Sequence, residues 1–414
     1  MMEEWKEYKL GDLIVLSSGG TPNKSNGSYW NGDIPWISAK AMYDDYLYSS
    51  DITITREGLD NGSKLAPVNS ILLLTRGSGL FNRIPVCLVK SKMAFNQDVK
   101  CIESKDKNVV SNFFLFYWLI GNKRAISNIL ETTGIGAGKI DTERLKNLPI
   151  NLPPIQRQQV LIKFAESLML KIEVNRRINE NLEQQAQALF KSWFVDFEPF
   201  KDGEFVESEL GMIPKGWRVG ALGDICVTNK RSYKGDFAHE IEYIDTGSVT
   251  NNVIESTQFL NPATDKIPSR ARRVVTEGDI IYSSVRPNQR HFALLFNPAS
   301  NTVVSTGFVV ITANWSGYRY YIYQYLIQDE IVDKLQAIAE QSVSTFPSLN
   351  AADITNLKIV IPPNDIVGDF AAICCSFIQQ IEKNQQESRR LATLRDTLLP
   401  KLLSGELKVG EIKE

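Results

Sequence analysis

The 414 residues amount to about two to three ordinary domains, and 43% hydrophobic with 10% aromatic residues are enough to build cores. A formal net charge of −2 excludes a uniformly basic nucleic-acid binder, so any DNA contact must come from segregated Lys and Arg. Five cysteines without metal-ligand spacing and only two histidines, His239 and His291, argue against a zinc set and for reduced thiols.

In chain order, Trp5 precedes Leu10-Gly-Asp12, and a turn-rich stretch holding Lys24, Tyr29 and Trp30 leads to the strand-like Ile34-Pro-Trp-Ile37. Ile71-Leu-Leu-Leu74 reads as a strand running into the loop of residues 75–83, which offers Arg76, Ser78, Asn82 and Arg83 on a Gly-rich backbone. Short β-rich runs bounded by Gly, Pro and Asn predict a compact α+β or mostly β domain. Phe113-Phe-Leu-Phe-Tyr-Trp-Leu-Ile120 is far shorter than the about twenty residues of a membrane span and predicts a buried amphipathic helix. No signal peptide opens the chain, which makes the cytoplasm the expected location, with no membrane partner. Thr133-Gly-Ile-Gly-Ala-Gly138-Lys139 has the composition of a phosphate cradle, yet Ile140 stands where a Walker motif carries Ser or Thr. A backbone contact to phosphate near Lys139 is the better expectation.

After Pro153-Pro154 the character changes. From Ile155 to Phe194 there is no Gly or Pro, which predicts a helix of about 55 to 60 Å at roughly 1.5 Å per residue. With Leu161 at heptad position a, the a column is Leu161, Leu168, Asn175, Leu182 and Leu189, with Phe164 and Ile178 at d. The Pro- and Gly-punctuated residues 197–205 and Gly211-Met-Ile-Pro-Lys-Gly-Trp217 read as a linker.

The chain then repeats itself. Asn147-Leu-Pro-Ile-Asn-Leu-Pro-Pro154 returns as Asn356-Leu-Lys-Ile-Val-Ile-Pro-Pro363, a shift of 209 residues that also carries Ile172-Glu-Val-Asn175 onto Ile381-Glu-Lys-Asn384. The same shift sets Phe95-Asn-Gln-Asp-Val-Lys-Cys-Ile102 against Val304-Ser-Thr-Gly-Phe-Val-Val-Ile311, and with small slips Leu222-Gly-Asp224 answers Leu10-Gly-Asp12. A period far above the ~20 to 50 residues of solenoid units makes each copy domain-sized. The second a column is Phe370, Phe377, Asn384, Leu391 and Leu398, so two matched seams predict a two-helix coiled coil. A two-fold relating the copies would set the helices antiparallel and bring Asn175 and Asn384 together, predicting a side-chain pair that pins the helix register. The apolar end, Leu398 to Leu407, is expected to pack near the start of copy one.

Two variable-looking domains, each followed by a long helix, resemble the specificity subunit of type I restriction-modification enzymes over essentially the whole chain. The resemblance rests on the Trp-x4-Leu-Gly-Asp openings, the Leu-Pro-Pro154 and Ile-Pro-Pro363 helix starts, Leu189-Phe-Lys-Ser-Trp-Phe-Val-Asp-Phe197, and Leu394-Arg-Asp-Thr-Leu-Leu-Pro-Lys-Leu-Leu-Ser-Gly405. It implies an α+β fold with two similar globular target-recognition domains and two long antiparallel coiled-coil helices, pseudo-two-fold symmetric. The expected division is domain 1 over residues 1–154, spacer helix 155–196, linker 197–216, domain 2 over 217–363, spacer helix 364–404 and a tail of 405–414. Each domain would read one half of a bipartite, asymmetric DNA target, while the helices fix the spacer and dock the methyltransferase subunits. The implied partners are double-stranded DNA, two methyltransferase subunits and the restriction and motor subunits. S-adenosylmethionine, ATP and Mg are expected on those partners, with no cofactor or metal in this chain.

Arg pairs with guanine and Asn or Gln with adenine in the major groove, whereas other cationic contacts position the backbone. That chemistry nominates Arg76, Ser78, Asn82 and Arg83 in copy one and Arg286, Asn288, Gln289 and Arg290 in the matching loop of copy two. Lys24 and Tyr29, with Arg231 and Lys234 in the second copy, form another candidate surface. Arg272 and Arg273, beside Arg270, are expected to neutralise phosphate. The carboxylate pairs Asp141 with Glu143 and Glu277 with Asp279 lie beside no catalytic motif, and no Asn/Asp-Pro-Pro-Tyr/Phe methyltransferase signature occurs. The chain is therefore not expected to be an enzyme.

Overall fold

The computed structural model describes residues 5–81, 83–134, 136–235, 240–341 and 347–407. It divides into two compact units, one formed by the chain up to Val174 together with the residues from Gln386 onward, the other by Asn175–Gln385. Each unit thus contains a globular domain and half of each long helix, a finer division than a domain followed by its spacer.

In the first unit, strand Lys6–Lys9 pairs antiparallel with Pro149–Leu152, which joins the beginning of the domain to its end. One sheet has the order Thr53–Ile54, Trp30–Ile37, Met93–Phe95, Lys64–Ala66. The other runs Ile14–Ser18, Val99–Ser104, Ile71–Leu74, Val86–Val89, Tyr46–Leu47. The second unit rebuilds this arrangement. Arg218–Ala221 pairs with Lys358–Ile361, and one sheet has the order Gln258–Leu260, Ile241–Ile244, Thr302–Ser305, Ala271–Val274. Its companion runs Cys226–Thr228, Phe308–Ala313, Ile280–Ser283, Phe292–Leu294. Even a parallel pair recurs, with Ala94 opposite Trp36 in one unit and Tyr243 opposite Val303 in the other.

Helix Asn112–Gly121 is capped by Ser111, whose Oγ accepts the Phe114 N–H at 3.1 Å. Every residue from Phe114 to Ile120 is buried, so the expected amphipathic helix is apolar all round and sits inside the core. Tyr318–Leu326 takes the same place in the second unit.

The long helices are Ile155–Phe194 and Asn364–Ser404. In the first unit Leu161, Ala165 and Met169 share a core with Leu399, Leu402 and Leu403, and Lys171 lies 3.1 Å from Glu387. In the second, Phe190 and Phe194 meet Phe370 with ring centroids 6.1 and 5.0 Å apart. The helices are therefore antiparallel within each unit. The expected seam needs one correction, because Ile178 is 40% exposed and Phe164 only half-buried. Residues 161, 165 and 169, then 186, 190 and 194, are buried in steps of four, instead of the alternating steps of three and four of a strict heptad.

Asn175 is fully buried and Asn384 nearly so. They meet across the two helices. The Asn175 Nδ2 donates to the Asn384 carbonyl at 3.4 Å, while the Asn384 Nδ2 donates to Asn179 Oδ1 and its Oδ1 accepts from Gln380, each at 2.8 Å. Asn179, one turn on from Asn175, thus also faces Asn384. Buried polar groups at a seam lower stability and specify register. Asn175→Leu is thus expected to raise the melting temperature and loosen the register, and a crystal structure of the variant with unchanged pairing would refute the second half of that expectation.

At the chain's far end Gly405 adopts φ +82°, and a Cβ there would lie 2.8 Å from the Trp5 ring. A left-handed glycine ends the helix and seats it on the first residues of the domain.

Candidate nucleic-acid interface

In each unit a hairpin with a polar loop at its tip occupies the same place in the sheet. In the first, Ile71–Leu74 and Val86–Val89 pair antiparallel with Leu72 opposite Cys87, and all eight residues are buried. The core grips the strands and pushes their connection to the surface. Thr75 anchors the near end, its N–H and Oγ1 both donating to the Asp98 carbonyl at 2.8 and 2.9 Å. Arg76–Gly77 then forms a short strand against Gly138–Ile140, with Arg76 directly opposite Lys139.

Opposite residues of an antiparallel pair share a face, and like charges there are destabilising. A third cation is close: the pKa of Lys100 on the neighbouring strand is lowered by burial and further by the Arg76 guanidinium. Glu131 faces Lys139 from the other side but lies 3.4 Å from Arg144. A site that crowds Arg76, Lys100 and Lys139 suits an anion. Ser78 is exposed just beyond them, whereas the Arg83 guanidinium turns back to the Tyr43 carbonyl. Asn82 lies outside the described residues. Lys24 is exposed in a turn and Tyr29 half-buried in the short helix Gly27–Tyr29, before strand Trp30–Ile37 of the other sheet.

In the second unit Ile280–Ser283 and Phe292–Leu294 make the matching hairpin, with Ile281 opposite Ala293. Its loop is held by Ser284 N–H to the Gly307 carbonyl at 2.8 Å and by a bridge from Val285 to Ser348. Arg286 and Arg290 sit at φ +49° and +56°, a left-handed conformation whose cost is tolerated where surroundings impose it and function uses it. Asn288 N–H donates to Gln336 Oε1 at 3.2 Å, and the Arg290 guanidinium is 2.5 Å from Asp329. Arg286, Asn288 and Gln289 are exposed while Arg290 is half-buried.

Three other arginines divide in role. Arg231 lies 2.6 Å from Asp279, a fully buried carboxylate that also accepts the Thr276 N–H at 2.7 Å and the Thr312 hydroxyl at 2.6 Å. Arg273 donates to Asn229 Oδ1 and to the Phe308 carbonyl, and burial lowers its pKa. Both brace the sheet from within, which a reading of local basic runs does not reveal. Arg272, at the bulge between Ala271 and Arg273, is exposed, as are Arg270 and Lys234.

The carboxylates serve the frame. Asp141 caps helix Thr142–Lys146, and the N–H of Arg144 is the main cause of its lowered pKa. Glu277 accepts the Asn297 N–H at 2.6 Å and lies 3.4 Å from Arg319. Among the described residues no group of three His, Cys, Asp or Glu could hold a metal, and no helix is long and apolar enough to cross a membrane. Lys100 was missed because its block, residues 95–102, marked the repeat; its signal is a cation alternating with the buried Val99 and Cys101.

The model of the type I restriction modification DNA specificity domain matches residues 2–184 and, again, residues 214–391. The chain belongs to this family. It is 31% identical over 425 residues to the type I restriction enzyme MjaIX specificity subunit of Methanocaldococcus jannaschii, covering 99% of this chain and 95% of that one. The HindI specificity subunit of Haemophilus influenzae is 23% identical over 483 residues, covering 98% and 100%. The fold is similar to the crystal structure of the type I restriction-modification S subunit from M. genitalium, with TM-score 0.50, 16% identity and coverage of 97% and 96%. As a type I specificity subunit, the chain recognises a DNA target and is a non-catalytic component of its system.

Proposed function

We propose that each domain reads one half of a bipartite, asymmetric DNA target, through residues 75–83 in the first domain and 286–291 in the second. The observation that carries this reading is that both loops connect the same two strands of the same sheet, while their side chains differ. A common frame with different Arg, Asn and Gln groups suits two half-sites of different sequence. The helices then set the unread spacer, since half-sites one turn of duplex apart are separated by about 34 Å. Globular parts fall at residues 1–154 and 217–363 in this reading, and the helices dock two methyltransferase subunits to which the restriction and motor subunits add. Apolar side chains left exposed on the first long helix, Leu170 and Val174 one turn apart, support docking there.

Co-expression with the methyltransferase subunit, followed by mapping of methylated adenines, tests the proposal. The expected result is a split, non-palindromic motif that changes in one half when residues 75–83 are exchanged and in the other when 286–291 are exchanged. Stable assembly without methylation or duplex binding would instead make the chain a protein scaffold. Binding of the assembled complex is also expected to weaken steeply with salt, because every phosphate neutralised by Lys or Arg releases counterions; salt-insensitive binding measured by anisotropy would contradict it.

A further inference from the structure

We propose that Asp45 with Arg395, and Asn252 with Glu183, are positioning contacts that set the aim of the recognition loop in each unit by tying its hairpin to a long helix. The inference rests on the reading that these loops contact DNA, and it adds what holds them in place.

In the second unit the link passes through a tight turn. Strands Val249–Thr250 and Val253–Ile254 are joined by Asn251 and Asn252 at φ +46° and +64°, the two-residue geometry that matches strand twist. Asn252 reaches in three directions. Its Nδ2 donates to Glu183 on the first long helix at 2.5 Å, its Oδ1 accepts the Leu294 N–H at 3.0 Å, and its own N–H donates to the Phe292 carbonyl at 2.9 Å. Beside it the Asn251 N–H donates to the Arg290 carbonyl at 3.0 Å, and His291 Nδ1 lies 2.5 Å from the Val249 carbonyl. The turn therefore holds the recognition loop at Arg290 and His291, together with the strand that comes after it, and hands that grip to the helix. Burial raises the Glu183 pKa and the Asn252 amide opposes the rise, as befits a carboxylate taken from water to serve one contact.

The first unit does the same with other chemistry. Tyr46–Leu47 runs beside Val86–Val89, the strand after the loop, and the Leu88 N–H donates to the Asp45 carbonyl at 2.8 Å. Tyr43, two residues earlier, receives the loop's Arg83 guanidinium on its carbonyl. The Asp45 carboxylate lies 3.6 Å from Arg395 on the second long helix, with side chains only 26% and 14% exposed. The 209-residue shift sends Asp45 to position 254, inside the Asn252 hairpin, and Arg395 to position 186, one helical turn from Glu183. The same slot thus holds a domain acid on a helix cation in one unit, and a domain amide on a helix acid in the other. General adhesion would need only the apolar contacts that both units already have. A polar link running from helix to loop, rebuilt with different residues, fits an alignment role.

The test uses the full chain co-expressed with its methyltransferase subunit, acting on a plasmid library that varies both half-sites. Glu183→Ala and Asn252→Ala are each expected to reduce discrimination between cognate and single-mismatch sequences in the half read by residues 286–291 by about tenfold, leaving the other half unchanged. Asp45→Ala and Arg395→Met should do the reverse. Glu183→Gln, which still offers an acceptor to Asn252, should retain discrimination. Equal loss on all sequences, or loss in both halves from every variant, would overturn the inference and reduce the contacts to fold support. A wild-type complex whose half-site preferences ignore the loop exchange would overturn the underlying reading, and the inference with it.

Discussion

Arg286→Ala is expected to lower methylation of the cognate sequence by roughly 5- to 150-fold, the value of about 1 to 3 kcal/mol for one bidentate arginine–guanine pair. The loss should fall on one half-site alone. Arg286 is exposed at the tip of a hairpin whose strands are buried, and its left-handed backbone turns it out of the run of the strand. Arg286→Lys separates the two ways such a residue can act. Lysine keeps the charge and loses the planar fork, so a base contact loses discrimination with either substitution. A phosphate contact would survive as lysine, and alanine would weaken all sequences alike while reducing the salt slope by about one. The measurement is the methylation rate on paired plasmids at two salt concentrations. Arg76→Ala is the matching variant for the first domain.

Arg231→Ala is expected to destabilise the second unit by about 3 kcal/mol, the lower end of the cost of removing one partner from a buried ion pair. Asp279 is the reason. Its side chain is 1% exposed and that of Arg231 30%, so removing the guanidinium strands a carboxylate that solvent cannot reach. The Thr276 and Thr312 hydrogen bonds soften the loss. Asp279→Asn in the Arg231→Ala background should recover part of it, since the charge goes and an acceptor stays. Urea unfolding of the variants checks both statements. Unchanged stability with lost DNA binding would return Arg231 to the interface and leave the brace to other residues.

The duplication was legible because the matched blocks fall on buried strands: residues 95–102 and 304–311 become the pairs Met93–Phe95 with Val99–Ser104 and Thr302–Ser305 with Phe308–Ala313. Packing on both sides leaves such strands little freedom to vary. The loops at residues 75–83 and 286–291 were legible for a related reason, as polar runs after apolar strands. Roles that depend on a distant partner were not. Arg231 looks like any basic residue until Asp279, 48 positions on, is folded against it, and nothing near Asn252 indicates Glu183, 69 positions earlier. The phase of the long helices was less legible: Phe164 is only half-buried, and Ile178, beside the buried polar crossing of Asn384 with Asn179 and Gln380, is exposed.

The first unit takes Leu399, Leu402 and Leu403 into its core, and its opening Trp5 rests against Gly405. A ribosome delivers these residues only after the second unit. Between Val174 and Gln386 the whole second unit, about 210 residues, is synthesised, which at about 5 to 20 residues per second takes roughly 10 to 40 s. Throughout that interval the earlier half has its sheets but lacks one wall, and Leu161, Ala165 and Met169 stay open to water or to a chaperone. Of the two units, the one begun first is the one completed second.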